Sequence, residues 1–178
     1  MSESPSSADN QDHQFLKVCR LLNEAGAHYV ICGGYACILH GNLRATQDVD
    51  LLVEENDANF RKVLDALSQL EDGAARELTL QDLRENKVVK VADEITVDIS
   101  TLAWKVSYAD AEPNIRWEEI EGVKIPFLGL EDLIRSKQTY REKDRLDIQM
   151  LVQVSEEARR FSASLESPKR GCLAWFWR

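Results

Sequence analysis

The sequence has few of the residues that mark a secreted, membrane-spanning or zinc-stabilised protein. Its four cysteines form neither a CxxC pair nor a zinc-type spacing with histidine, so neither a disulfide framework nor a structural metal site is predicted. We expect reduced thiols, three of them in the core. No apolar run approaches the roughly 18 residues of a membrane span, and the first residues lack the basic and apolar regions of a signal peptide. These absences favour a cytoplasmic protein with no membrane partner.

Positive charge is also scarce. Lys and Arg number 22 against 31 Asp and Glu, which gives a formal net charge of -9. Broad nonspecific binding to nucleic acid depends on basic side chains that neutralise phosphates, so this balance argues against it but leaves room for RNA on a local basic patch. With 178 residues, 44% hydrophobic and 30% charged, the chain has the size and composition of one globular domain.

The hydrophobic pattern predicts an α/β domain over residues 13–165 between two tails. Residues 1–12 are polar and unpatterned and are predicted to be disordered, and residues 166–178 form a basic and aromatic tail. Strands are predicted over 28–32, 48–53, 87–92, 95–101, 116–121 and 123–128. Helices are predicted over 15–25, 33–41, 56–70, 130–140 and 144–154, with a last one running toward 165.

Two predicted strands have one apolar and one acidic face. Asp48 and Asp50 alternate with apolar residues in the first, and Asp98 does so in the second. Alternate residues of a strand share a face, so the three carboxylates can meet in one site if the strands are neighbours. Carboxylates that close disfavour each other's ionisation unless a cation lies among them, and Mg²⁺ with substrate phosphates is the natural occupant. Solvated strand carboxylates are the alternative.

A glycine pair follows the first predicted strand. Gly33 and Gly34 open a short helix, where bare backbone and free N–H groups can approach phosphate. A tight strand-to-helix turn also requires glycine for steric reasons, and that alternative stays open. Arg44 and Thr46 lie just before the acidic strand and either hold phosphate or acceptor, or order the loop.

Together these residues resemble a known signature. The chain is similar to the DNA polymerase β-like nucleotidyltransferase superfamily in the run Gly33-Gly34-Tyr35-Ala36, His40-Gly41, Arg44, Thr46 and Asp48-Val49-Asp50. Over about residues 15 to 155 it looks most like AbiEii-type toxins and related uncharacterised minimal nucleotidyltransferases. In those families a third carboxylate like that of Val97-Asp98-Ile99 completes the site.

The resemblance implies a fold, cofactors and partners. The implied fold is a mixed sheet flanked by helices, with further helices at the carboxyl-terminal end. The implied substrates are an NTP and an acceptor. The acceptor implied by these relatives is RNA, such as a tRNA end, in a toxin-antitoxin or defence setting. That setting implies a cognate antitoxin or another partner protein. Two Mg²⁺ ions, or Mn²⁺ in their place, are expected. The metal ligands would be Asp48, Asp50 and Asp98, and the nucleotide contacts Gly33, Gly34, Arg44 and Thr46.

A second part of the resemblance lies in the segments Leu130–Lys137 and Arg141–Asp147. It implies that Lys137 faces the nucleotide and takes part in catalysis. Helical spacing puts Lys137 on the face expected to be buried, where it needs an anion or a long reach to solvent. Asp144, also on an apolar helix face, either pairs with Arg141 or Lys137 or acts as a catalytic base.

Two rival functions stay open. In the first, the acceptor is a small hydroxylated molecule such as an antibiotic, because drug-modifying nucleotidyltransferases share the Gly-Gly and Asp-x-Asp pattern and a charge of -9 suits a cationic drug. The other rival is a non-catalytic nucleotide-binding regulator or partner subunit. The presence of all three carboxylates argues against that reading, since loss of activity would free those positions to change.

Overall fold

The structure is a computed structural model that describes residues 7–166, and the remaining parts of both predicted tails lie outside this range. Its helices are α1 (Ser7–Glu24), α2 (Gly33–Leu39), α3 (Asp57–Leu67), α4 (Leu80–Glu85), α5 (Tyr108–Ala111), α6 (Leu130–Ser136) and α7 (Glu142–Glu166). Its strands are β1 (Tyr29–Ile31), β2 (Asp48–Val53), β3 (Val89–Ala92), β4 (Thr96–Ser100), β5 (Leu102–Ala103), β6 (Val106–Ser107), β7 (Arg116–Ile120) and β8 (Val123–Phe127). None of the described helices combines the length and apolar character needed to cross a bilayer.

Six of these strands form one mixed sheet in the order β3-β4-β2-β1-β8-β7. The pairs β1–β8 and β2–β4 are parallel, whereas β1–β2, β3–β4 and β7–β8 are antiparallel. The strands β5 and β6 form a separate small hairpin. Helices flank the sheet: α1 contacts α3 and β8, and α2 contacts β2 and α6. The predicted α/β class and the mixed sheet are confirmed.

The core follows the alternation seen in the sequence. Val49, Leu51 and Val53 of β2 are fully buried, and Val97 and Ile99 of β4 are at most 1% exposed. Burial of such side chains is the main favourable contribution to folding, so it decides which strand face turns inward and leaves the acidic residues on the opposite face. The buried cysteines, as predicted, are free thiols at positions 19, 32 and 37; the fourth lies outside the described residues.

The helices differ from the prediction at both ends of the chain. Helix α1 begins at Ser7, so residues 7–12, predicted as disordered tail, are helical, and Gln11 Nε2 donates a hydrogen bond to Thr46 O at 2.6 Å. Helix α6 ends at Ser136 rather than near residue 140. The two helices predicted after residue 144 are one continuous helix, α7. No glycine or proline lies within it, so no helix-breaking residue separates the two predicted segments.

Several short elements have no counterpart in the prediction. Helix α4 begins with a capping box formed by Thr79 and Asp82, and α5 begins with one formed by Ser107 and Asp110. These helices, of six and four residues, are too short for a hydrophobic period to reveal. Local side-chain caps on orphan backbone N–H groups help to stabilise them instead.

Candidate functional site

The predicted site residues converge on one cleft of about 400 Å³. Its walls come from the start of α2, the loop before β2, the strands β2 and β4, and the junction of α6 and α7. The cleft is lined by Gly33, Gly34, Arg44, Ala45, Thr46, Gln47, Asp48, Asp50, Asp98, Lys137, Arg141, Lys143 and Asp144. Every residue predicted for the site is in this set, although the segments that supply them are far apart in the chain.

Strand pairing brings the carboxylates together. The parallel strands β2 and β4 are in a register that places Asp50 directly opposite Asp98 and Asp48 opposite Thr96. Residues opposite each other in neighbouring strands project from the same face, and Asp48 shares that face with Asp50 because it lies two positions away. The site therefore presents three carboxylates on one face of two central strands.

Asp50 is partly buried at the centre of this group. Burial raises the pKa of its carboxyl group above the usual value, and the negative charges of Asp98 and Asp48 add to that rise. A hydrogen bond from the Gly34 backbone N–H to Asp50 Oδ2, at 3.4 Å, and the charge of Lys137 act in the opposite direction. Together these effects make the ionised form of Asp50 less favourable than that of a solvated aspartate.

The glycine pair is required by close packing within this site. A Cβ on Gly33 would lie 1.8 Å from Asp50 Oδ2. Gly33 also has a φ of +58°, a backbone conformation that residues with a side chain rarely adopt. A Cβ on Gly34 would lie 2.2 Å from Thr46 Oγ1. The steric explanation for the glycine pair is therefore supported. Without a Cβ at either position, the Asp50 and Thr46 side chains can pack against the backbone of the two glycines.

The donor set fits a hard divalent cation that shares its ligands with a substrate. Asp98 Oδ1 is buried and makes no hydrogen bond within the described chain. Its charged neighbour is the Lys90 ammonium at 3.1 Å, and a divalent cation could take the place of that ammonium. Among the described residues no three carboxylate, imidazole or thiolate groups are close enough to enclose a metal by themselves. Mg²⁺ is commonly held by one or two carboxylates together with substrate phosphates.

A lysine that the sequence pattern did not identify lies beside the carboxylates. Lys90, on β3, is opposite Asp98 in the antiparallel pair of β3 and β4. Its Nζ lies 3.1 Å from Asp98 Oδ1 and 3.8 Å from Asp48 Oδ2. Its contact with Asp98 Oδ1 is an ion pair, and the proximity of Asp98 raises the pKa of Lys90 above its usual value. The alternation of Lys90 with buried Val89 and Val91 was the available signal.

Lys137 faces the cleft from the end of α6 and is only 5% exposed, so a reach to bulk solvent is not how it is accommodated. Its Nζ donates a hydrogen bond to Asp147 Oδ2 at 2.7 Å and lies 3.7 Å from Asp144 Oδ1. Burial lowers the pKa of Lys137, but the Asp147 hydrogen bond and the charges of Cys37, Asp147 and Asp144 outweigh it, so the pKa lies above its usual value. Lys137 is a charged ammonium within the cleft wall.

Asp147 is the second residue that sequence reasoning left without a role. Its Oδ2 also accepts a hydrogen bond from Arg44 Nη1 at 2.6 Å, so one carboxylate holds two of the predicted nucleotide contacts. Asp144 accepts hydrogen bonds from the Thr139 hydroxyl and from Arg141 Nε, the latter at 2.8 Å. The predicted pairing of Asp144 with Arg141 and Lys137 is therefore present. The spacing of Asp147, three residues after Asp144 on α7, was the signal that could have found it.

Comparison with known proteins places this cleft in a family context. Residues 13–110, which include the glycine pair and all three strand carboxylates, match the family described as "Nucleotidyltransferase of unknown function (DUF6036)". No curated protein sequence matches the chain. In fold, the chain is similar to the lincosamide antibiotic adenylyltransferase LnuA in its lincomycin-bound structure, with 14% identity and a TM-score of 0.56 over 80% of this chain and 97% of that one.

A second solved structure has the same fold. An antigenic nucleotidyltransferase-like protein from Paracoccidioides brasiliensis shares 20% identity with a TM-score of 0.51, over 91% of this chain and 89% of that one. At these identities the likenesses concern the fold, and they agree with the mixed sheet and its flanking helices.

Proposed function

The chain belongs to the nucleotidyltransferase family that its residues 13–110 match, and we propose that it transfers a nucleoside monophosphate from an NTP to a hydroxyl group of an acceptor, using Mg²⁺ held by Asp48, Asp50 and Asp98. The observation that supports the proposal most strongly is the register of β2 and β4, which sets Asp50 opposite Asp98 inside the cleft. The buried Asp98 Oδ1, which already attracts the Lys90 ammonium, supports a cation-binding role for this arrangement.

In the proposed reaction the acceptor oxygen forms a bond to the α-phosphorus of the NTP, and the bond from that phosphorus to the pyrophosphate oxygen breaks. The hydroxyl proton passes to a carboxylate of the cleft. The bound metal would neutralise the charge that develops on the phosphates and on the attacking oxygen. Mn²⁺ is expected to support the reaction in place of Mg²⁺, because carboxylate and phosphate oxygens coordinate both ions.

The chain's cations bind and orient the triphosphate in this proposal. Lys137 and Arg44 line the cleft and are fixed by Asp147, so they offer preset positive charge rather than long flexible side chains. Arg141 also lines the cleft; its Nε is bonded to Asp144, and 76% of its side chain is exposed and accessible to a substrate. Asp144 is occupied by Thr139, Arg141 and Lys137, and we assign it a positioning role.

Two acceptor classes are carried forward. The resemblance to AbiEii-type toxins favours RNA, such as a tRNA end, and with it a cognate antitoxin as partner. A small cationic molecule with a hydroxyl group is the second candidate. It is favoured by the charge of -9 and by the fold likeness to an antibiotic adenylyltransferase, of which the chain covers 97% of the length. Here the carboxylates around the cleft would attract the cation.

A transfer assay tests the proposal and separates the acceptors. The purified protein is incubated with Mg²⁺ and each α-labelled NTP in turn, with total RNA in one series and a panel of hydroxylated, cationic antibiotics in another. We expect label to move to one acceptor class and to remain at background in the Asp48→Ala and Asp98→Asn variants.

The matched control is Glu119→Gln, which removes one carboxylate from β7, a strand exposed along its length, and should leave transfer unchanged. Transfer that survives Asp98→Asn would contradict the assigned metal site. No transfer to either class, together with no stabilisation of the protein by Mg²⁺ and NTP in thermal melts, would leave a protein that does not carry out the reaction.

A further inference from the structure

Lys90 occupies an unusual position for a strand lysine. It is in register with Asp98, and its ammonium lies 3.1 Å from Asp98 Oδ1 and 3.8 Å from Asp48 Oδ2. A solvated lysine would extend away from the sheet, whereas this one lies between two carboxylates of the proposed metal site. Its side chain is 55% exposed, so only the charged end is engaged.

The ammonium is held by contacts at one end of a solvent-exposed side chain, and its proximity to Asp98 raises the pKa of Lys90. Lys90 Nζ is the cation nearest to Asp98 Oδ1 among the ion pairs of the described residues, at 3.1 Å. An exposed, flexible stem restricts the ammonium little, so it can move away at small cost. Lys137, by contrast, is buried and hydrogen-bonded to Asp147, so its ammonium cannot move away at similarly small cost.

From this geometry, and resting on the proposed function, we infer that Lys90 is a built-in competitor for the divalent cation at Asp98 and Asp48. A metal ion bound to Asp98 Oδ1 would lie beside the Lys90 ammonium, and the repulsion between the two cations favours displacement of the ammonium. The free protein therefore binds a divalent cation weakly. The affinity of the free protein for the metal ion depends on how much more strongly the carboxylates interact with the ion than with the ammonium.

Mn²⁺ binding in the absence of nucleotide tests this inference directly. Free Mn²⁺ is measured by electron paramagnetic resonance during titration of the purified full-length protein. The variant Lys90→Met keeps the apolar stem and removes the charge. We expect its Kd for Mn²⁺ to be about tenfold lower than that of the unmodified protein, which corresponds to about 1.4 kcal/mol.

Three further variants separate competition from a general change of charge. Lys87→Met removes a nearby exposed lysine that forms no ion pair in the described chain, and it should change the Kd little. Lys90→Arg keeps the positive charge and should keep binding weak. Adding Asp98→Asn to Lys90→Met should abolish the gain, because the oxygen over which the two cations compete is altered.

The inference is overturned if Lys90→Met binds Mn²⁺ no more tightly than the unmodified protein, if Lys87→Met gains as much, or if none of the proteins binds Mn²⁺. Its failure can be told apart from failure of the proposed function. Labelled transfer by the unmodified protein, absent in Asp98→Asn, supports the function whatever Lys90 does. Absence of that transfer, together with no stabilisation by Mg²⁺ and NTP in thermal melts, rejects the function even where the Mn²⁺ titrations behave as expected.

Discussion

The carboxylate of Asp147 accepts a hydrogen bond at 2.7 Å from the ammonium of Lys137, and both side chains are buried. The same carboxylate oxygen accepts a second bond from Arg44. One residue of α7 thereby fixes the end of α6 and the loop before β2, which are two walls of the cleft. The site's cations are held in place before any substrate arrives, which lowers the cost of ordering them on binding.

Replacing Asp147 with Asn should destabilise the protein strongly. The change leaves Lys137 buried with Asp144 at 3.7 Å as its remaining carboxylate and removes the partner of Arg44. Breaking a buried ion pair in this way costs about 3–5 kcal/mol. The free energy of unfolding in urea measures the effect.

Two companion variants make that measurement specific. Glu156→Gln breaks the exposed pair with Arg160 and should change stability by less than about 0.5 kcal/mol. Lys137→Met combined with Asp147→Asn should lose less than the sum of the two single changes, because no buried ammonium is then left short of a partner. Strict additivity would show that the two groups are not coupled.

Gly33→Ala should displace Asp50 and reduce transfer. The new Cβ would lie 1.8 Å from Asp50 Oδ2, at a backbone φ of +58°. We expect activity to fall about a hundredfold, since a misplacement of about 1 Å at a reacting centre has that effect. Initial rates of labelled transfer are the measurement.

The chain provides a control for the backbone cost of that substitution. Gly122 has a φ of +75°, and its Cβ would meet nothing within 4 Å. Gly122→Ala should cost about 1–2 kcal/mol of stability from the left-handed conformation and leave transfer unchanged. Equal losses of activity in both variants would mean that contact with Asp50 is not the cause.

Asp50→Asn should stabilise the metal-free protein while abolishing transfer. Burial raises the pKa of Asp50, and the charges of Asp98 and Asp48 raise it further, so its ionised form is unfavourable in the folded state. Asparagine removes that charge. We expect Tm in the presence of a chelator to rise by about 2–4 °C, the shift produced by about 1 kcal/mol in a chain of this size. A lower Tm would show that the carboxylate contributes to stability.

His40 should make stability depend on pH. Burial lowers its pKa, which outweighs the opposing hydrogen bond between His40 Nε2 and Leu128 O at 2.8 Å. The unfolded chain, with a histidine pKa of about 6.5, then binds more protons than the folded one below that pH. The contribution of His40 to stability is therefore complete above about pH 6.5 and is lost as the pH falls toward the lower folded pKa.

Thermal melts between pH 7.5 and 5.5 check this expectation. The unmodified protein should lose more stability on acidification than His40→Gln, in which nothing titrates at this position. His13→Gln, which changes an exposed histidine, should follow the unmodified protein. Parallel profiles for His40→Gln and the unmodified protein would rule out His40 as the source.

Strand patterns were the most reliable part of the sequence prediction. The bounds of β2 were predicted as observed, and the other five strands of the main sheet were each found within one or two residues. The prediction failed where no hydrophobic period exists, as in α4 and α5, and where a long helix has no interruption, as in α7. Residues 7–12 were assigned to a tail because their polar sequence contains no signal for Gln11 bonding to Thr46 O.

By itself the sequence determined that Asp48, Asp50 and Asp98 lie on the polar faces of two strands, because alternation is a local property of an extended chain. The glycine pair was likewise visible as the start of a helix. Only the tertiary structure decided that β2 and β4 are neighbours in a register that sets Asp50 opposite Asp98. It also decided the partners of the cations, pairing Lys137 and Arg44 with Asp147 and bringing Lys90 to Asp98. Those contacts join residues distant in the chain, and packing of the whole core, rather than any local pattern, selects them.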